Sequence, residues 1–126
     1  MTVDALHQVL SDFNEADAFF DHLADDVVLE FPYGPTLGLP ARVEGKPAVR
    51  AHLSAVRAGG LSIGAPAVER ITEGRYLAEY TGTYRAADGT AADVPLIAVI
   101  DIDGVAITRI REYWDTLLLA KLNADV

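Results

Sequence analysis

The sequence predicts one α+β domain spanning residues 1–126, with helices in its first half and long antiparallel strands after residue 60. Apolar residues in the first half recur with a helical period. Three pairs of an acidic residue and a glycine, typical of hairpin turns, stand about 15 residues apart in the second half: Glu73-Gly74, Asp88-Gly89 and Asp103-Gly104. A chain of 126 residues also fits a single hydrophobic core. Helices followed by a run of hairpins favour an α+β fold over a parallel α/β fold.

The first half predicts three helices. The first helix follows from four apolar residues near a period of 3.6: Val3, Leu6, Leu10 and Phe13. Asn14 is predicted to cap a short second helix, since Asp17 follows three residues later. Pro47 suits the first position of a third helix, which we expect to end at Gly59-Gly60.

One strand precedes the third helix and four follow it. Alternating apolar residues predict a half-buried strand over 27–31, stopped by Pro32 and Gly34 and followed by a loop over 34–45. Four further strands are predicted between the turn signals, at 61–72, 75–86, 91–102 and 105–115, with an apolar tail at 117–122.

Composition excludes several classes of function. The net charge of −9 disfavours nucleic acid and anionic membranes as partners, because both require a basic surface. The absence of cysteine excludes disulfides and thiolate metal sites. No His, Asp and Glu residues have the spacing of metal ligands, and no glycine-rich loop precedes a helix to bind phosphate. We therefore expect neither a metal nor an organic cofactor.

The sequence shows no signal that would direct it to a membrane. The opening residues MTVDALHQ lack the basic and apolar regions of a signal peptide. No apolar run approaches the about 18 residues needed to span a bilayer. The expected location is the cytoplasm.

The last predicted strand carries an acidic residue on its apolar face. Strand alternation separates an inward face with Ile110, Glu112 and Trp114 from an outward face with Arg109 and Arg111. Burial raises the pKa of a carboxyl group, so Glu112 could exchange protons near neutral pH. The alternative is a structural role, in which Glu112 pairs with an inward-reaching arginine or caps a loop.

The third predicted helix carries a histidine on its apolar stripe. Val49, His52, Leu53 and Val56 share one helix face. A single histidine in this position is more often a hydrogen-bonded core residue than a catalyst. Two titratable residues, His52 and Glu112, on separate elements facing one core favour a site, because a Glu–His pair can perform acid–base chemistry.

Other residues on these inward faces are predicted to hold a ligand. The apolar contacts are expected from Phe13, Phe31, Leu53, Val56, Ile110 and Trp114. Tyr33 follows a strand into a loop and is predicted to hydrogen-bond the ligand. Tyr76, Tyr80 and Tyr84 share one strand face, which we interpret as a packed or interface stripe.

Three segments resemble the SnoaL-like, nuclear transport factor 2-like superfamily, which includes the ketosteroid isomerases: LADDVVLEFPYG, EGKPAVRAHL and DGVAITRIREYWD. The resemblance covers nearly the whole chain. It implies a cone-shaped, cystatin-like α+β domain in which a curved antiparallel sheet and three helices enclose an apolar pocket. It also implies a homodimer that associates through the sheet.

Resemblance to two branches bears on the site. The carboxylate positions of ketosteroid isomerases correspond to Phe31 and Ala98, and their helix-1 tyrosine falls near His7, so the usual steroid-isomerising residues are missing. The chain is also similar to the PhzA/PhzB phenazine-biosynthesis branch at two places. His52 lies seven residues after Gly45, and Glu112 stands in an Arg-Glu-aromatic segment.

The sequence therefore predicts a small-molecule enzyme that moves protons with Glu112 and His52. The expected reaction is isomerisation, cyclisation, dehydration or condensation of an apolar carbonyl compound. The alternatives are a ligand-binding or accessory protein that uses the same cavity without chemistry, and an interaction domain with a vestigial pocket. A homodimer is expected to form through the Arg109 and Arg111 face and the tyrosines of the 75–86 strand.

Overall fold

The computed structural model describes residues 1–15, 17–85 and 88–124. Its α-helices are α1 (Val3–Ser11), α2 (Lys46–Ala58) and α3 (Thr116–Ala124), and 3-10 turns lie at Asp12–Asn14, Asp17–His22 and Gly34–Leu37. Its strands are β1 (Leu23–Glu30), β2 (Arg42–Glu44), β3 (Ser62–Ile63), β4 (Ala67–Thr72), β5 (Arg75–Arg85), β6 (Ala91–Asp103) and β7 (Ala106–Trp114). The predicted α+β class is confirmed.

The strands form one curved sheet in the order β2-β1-β7-β6-β5-β3, with β4 also paired to β5. Adjacent strands pair antiparallel except β1 and β7, which run parallel. The sheet is therefore mixed, and the prediction of a purely antiparallel sheet is wrong for this ladder. Turn signals define the direction of strands joined by a hairpin, whereas β1 and β7 are far apart in the chain and meet only in the folded sheet.

Several predicted boundaries change. Helix α2 begins at Lys46, one residue before Pro47, with Gly45 as its N-cap. The predicted strand 61–72 is divided into β3 and β4, because Gly64 and Pro66 interrupt the ladder along β5. The apolar tail 117–122 lies within α3, so the third α-helix follows the sheet rather than preceding it. The predicted end of the second long strand, residue 86, lies outside the described residues.

Asn14 joins two segments instead of capping a helix. Its side-chain amide donates to the carbonyl of Ile63 at 2.7 Å, and its side-chain oxygen accepts from the Ile63 N–H at 2.8 Å. The predicted second helix is a 3-10 turn at Asp17–His22. The prediction that Asn14 caps a helix is therefore wrong, because its side chain satisfies the edge of β3.

The core lies between the helices and the inner face of the sheet. Its largest fully buried side chains include Phe20, Phe31 and Leu6. Tyr76 on β5 belongs to this core, and its hydroxyl donates to the backbone carbonyl of Met1. On α2, Val49 and Leu53 are buried, which orients the predicted stripe of this helix inward.

Candidate functional site

A cavity of about 410 Å³ opens between α2, α3 and the inner face of β5–β7. A volume of this size falls in the range of small-molecule sites, about 300–1,000 Å³. Most of the wall is apolar. The exceptions among the described residues are His52, Tyr80, Tyr84, Arg85 and Glu112, with the indole nitrogen of Trp114. A few polar groups in an apolar cavity are typical of a site that orients a ligand.

The Glu112 carboxylate enters the cavity from β7 and accepts two hydrogen bonds. Trp114 Nε1 donates to Oε2 at 2.9 Å, and the Tyr80 hydroxyl donates to Oε1 at 3.4 Å. Ala98, which is fully buried, lies across the ladder from Glu112. Burial raises the pKa of Glu112, and the two hydrogen bonds oppose this shift because they favour the charged form.

His52 reaches the same cavity from α2. Its ring centroid lies 5.2 Å from that of Phe31, which in turn lies 4.6 Å from Trp114. Loss of solvent lowers the pKa of His52, so the imidazole is neutral at neutral pH. Within the described chain no hydrogen bond joins His52 to Glu112, and aromatic rings lie between their elements. The geometry leaves both groups available to a ligand.

All but one of the predicted ligand contacts line this cavity. Those that do are Phe13, Phe31, Leu53, Val56, Ile110 and Trp114. Tyr33 is 52% exposed and does not line the cavity; its ring packs edge-on against Tyr113, 5.4 Å away. The prediction for Tyr33 is wrong because its side chain packs at the surface, while Leu37 at the end of the following 3-10 turn lines the cavity instead.

Two tyrosines in the cavity wall were interpreted from the sequence as packing or interface residues. Only Tyr76 is a packed core residue, while Tyr80 and Tyr84 line the cavity. The sequence signal that could have revealed their inward position is the register of the β5–β6 hairpin around Asp88-Gly89. That register pairs Tyr80 with Leu96 and thereby places the tyrosine face inward.

The outer face of β7 carries the predicted arginines. Arg109 forms an ion pair with Glu30 of β1. The guanidinium carbon of Arg111 lies 5.9 Å from the ring centroid of Tyr113. The tyrosines of β5 are on the opposite face, so the predicted joint surface of arginines and β5 tyrosines is wrong. The inner and outer faces predicted for β7 are correct. The sequence alone did not show that the β5 tyrosines lie on the inner face, because β5 and β7 are related only through their pairing with β6.

The described residues contain neither a candidate metal site nor a candidate membrane-spanning helix. They include no group of three or more His, Cys, Asp or Glu side chains placed to hold a metal ion. None of the helices that they form is long and apolar enough to cross a membrane.

The ionisation of Glu112 is expected to weaken folding as the pH rises. Its raised folded-state pKa means that the folded chain holds this proton more tightly than the unfolded chain. The free energy of unfolding therefore falls as the pH rises from the unfolded pKa, about 4.3, to the folded pKa. Above the folded pKa, ionisation of Glu112 causes no further loss. Carbon NMR of the labelled carboxyl group should give a midpoint above that of an ordinary glutamate. A midpoint at or below the ordinary value would contradict this prediction.

The chain belongs to the SnoaL-like domain family, whose model matches residues 3–116. No curated protein matches the sequence. A candidate isomerase from Bacillus subtilis is 25% identical, with a TM-score of 0.81 over 98% of this chain and 92% of that one. TerC co-crystallised with polyporic acid is 19% identical, with a TM-score of 0.81 over 95% of each chain. A candidate polyketide cyclase from Pseudomonas putida is also 19% identical, with a TM-score of 0.81 over 97% of this chain and 98% of that one.

Proposed function

We propose that this chain is a cofactor-independent enzyme that transfers protons within an apolar carbonyl compound bound in the cavity. The observation that carries the proposal is the Glu112 carboxylate, held by two hydrogen bonds in an apolar wall that also presents His52. The similarity to a candidate isomerase and a candidate polyketide cyclase agrees with this reaction class. The resemblance to phenazine-biosynthesis proteins supports the Glu–His pair, and no substrate is inferred from it.

Glu112 acts as the base. Its carboxylate takes a proton from the carbon next to the carbonyl. The electrons of the broken C–H bond form a carbon–carbon double bond, and the π electrons of the carbonyl move onto its oxygen to give an enolate. The hydrogen bonds from Trp114 and Tyr80 fix the carboxylate in one orientation. The carboxyl group then returns the proton to a different atom of the intermediate, which completes an isomerisation or prepares a cyclisation or dehydration.

His52 supplies the second polar contact. A neutral imidazole can donate a hydrogen bond to an oxygen or nitrogen of the ligand without adding a charge to the cavity. Phe31 packs between His52 and Trp114 and shields this part of the cavity from water. A dry wall strengthens each hydrogen bond to the developing enolate.

The proposal is tested with 2-tetralone, a bicyclic apolar ketone with acidic C–H bonds beside its carbonyl. Proton NMR in D₂O follows the exchange of these hydrogens for deuterium with and without the protein. We expect the protein to accelerate exchange well above the buffer rate. Binding without acceleration would overturn the enzymatic proposal and favour the alternative, a binding or accessory protein with the same cavity.

We further propose that the chain forms a homodimer through the outer face of the sheet. On this face Ile97 of β6 is exposed beside Tyr113 of β7. A partner surface would cover these apolar side chains.

Light scattering at micromolar concentration is expected to give about twice the 13.5 kDa of one chain. Ile97→Glu is expected to shift the mass to that of a monomer, because it places a charge in the interface. Val105→Glu, an exposed apolar position in the turn between β6 and β7, serves as the control. A wild-type mass of one chain would contradict the dimer.

A further inference from the structure

Tyr84 has an unusual position on the inner face of β5. Gly82, which precedes it on the same face, has no side chain, and the Tyr84 ring lies across this gap. A Cβ atom on Gly82 would come within 3.3 Å of Cε2 of Tyr84, and within 3.2 and 3.3 Å of the side chains of Leu61 and Leu96. The ring therefore leans along the strand toward Gly82. Any larger residue at position 82 would crowd the Tyr84 ring and the two leucine side chains.

The three tyrosines on this face differ in their hydrogen bonds. Tyr76 donates to the Met1 carbonyl and Tyr80 donates to Glu112. Tyr84 lines the cavity, and its hydroxyl has no hydrogen-bond partner in the described part of the chain. Because this hydroxyl is not tied to another side chain, it is available to a molecule bound in the cavity.

Burial and a nearby negative charge keep the Tyr84 hydroxyl protonated. Burial first, and then the negative charge of Glu112, raise the pKa of Tyr84 to about 12. At neutral pH the group is a phenol with a proton to donate. Tyr84 and Glu112 line the same cavity.

We propose that Tyr84 is a further ligand-binding residue whose phenol donates a hydrogen bond to an oxygen of the bound molecule, beside the Glu112 carboxylate. Gly82 is the positioning residue that lets the Tyr84 ring lie there. This inference rests on the proposed function for the identity of the site. It narrows the ligand to an apolar molecule in which the acidic C–H bond lies next to a carbonyl oxygen within reach of the Tyr84 phenol. The hydrogen bond strengthens when that oxygen becomes negative in the enolate.

The experiment compares the dissociation constants of 2-naphthol and naphthalene, which differ by one hydroxyl group. The wild type is expected to prefer 2-naphthol. In Tyr84→Phe this preference should fall by about twofold to tenfold, the range for loss of a neutral hydrogen bond. Naphthalene itself should bind within about twofold of wild type, because the phenyl ring is retained. Tyr113→Phe, on the outer face, is the matched control and should leave the preference unchanged.

Gly82→Ala tests the geometry separately. It retains the Tyr84 hydroxyl but displaces the ring, and should lower the preference for 2-naphthol in the same direction as Tyr84→Phe. The double variant Gly82→Ala/Tyr84→Phe should show the same preference as Tyr84→Phe alone. If the alanine instead acted through a general change of structure, the double variant would show a further loss. Circular dichroism confirms that each variant is folded, and Gly82→Ala provides the test if Tyr84→Phe does not fold.

An unchanged preference in Tyr84→Phe, or no binding of either probe by the wild type, would overturn the inference. The measurement involves equilibrium binding and no proton transfer. It can therefore succeed when 2-tetralone exchange fails, and fail when exchange succeeds, so the two proposals are separable.

Discussion

Glu112→Gln is expected to lower the rate of 2-tetralone exchange by about a hundredfold to ten-thousandfold, the usual contribution of a positioned general base. The amide has nearly the same shape as the carboxylate but cannot accept the proton. The amide oxygen can still accept from Trp114, and the amide NH2 can donate to the Tyr80 hydroxyl oxygen, so the cavity keeps its form. Exchange rates measured by proton NMR in D₂O, at equal protein concentration and pH, give the comparison.

The matched control is Glu69→Gln. Glu69 is an exposed residue of β4 that does not line the cavity, and the substitution removes the same charge. We expect its exchange rate to equal that of wild type. A rate in Glu112→Gln within threefold of wild type would show that Glu112 is not the base. The variant should also be at least as stable as wild type near pH 7, because the amide has no charge to desolvate.

Phe20→Ala is expected to lower the free energy of unfolding by about 3–5 kcal/mol, the usual cost of removing a buried phenylalanine ring. Phe20 is fully buried, and its ring meets Phe19 edge-on at 5.6 Å. The guanidinium groups of Arg50 and Arg57 on α2 also lie over it, at 5.3 and 5.5 Å. Truncation would leave a cavity and remove the surface on which α2 packs.

Urea denaturation followed by circular dichroism measures this loss. The slope of the transition should remain that of wild type, since the change acts on the folded state. Leu117→Ala removes an exposed apolar side chain and should change the stability by less than about 0.5 kcal/mol. A loss below about 1 kcal/mol in Phe20→Ala would mean that the helices repack around the gap.

Local patterns in the sequence determined helices α1 and α2, the long strands and the direction of the most important side chains. Strand alternation alone placed Glu112 on the inner face with Ile110 and Trp114. Helical spacing alone placed His52 with Leu53. These predictions succeeded because the period of a helix or strand fixes side-chain direction over short distances, independent of the neighbouring elements.

Only the tertiary structure decided how these elements meet. The parallel pairing of β1 with β7 joins segments about 80 residues apart along the chain, so no turn between them specifies it. Asn14 looked like a helix cap because the same side chain can satisfy a helix end or a strand edge. Tyr84 looked like packing because a tyrosine stripe has the same period in either role. In the folded sheet its ring lies against Gly82 and lines the same cavity as Glu112 from another strand. The sequence thus determined which way each side chain points, and the packing of distant strands determined what each side chain meets.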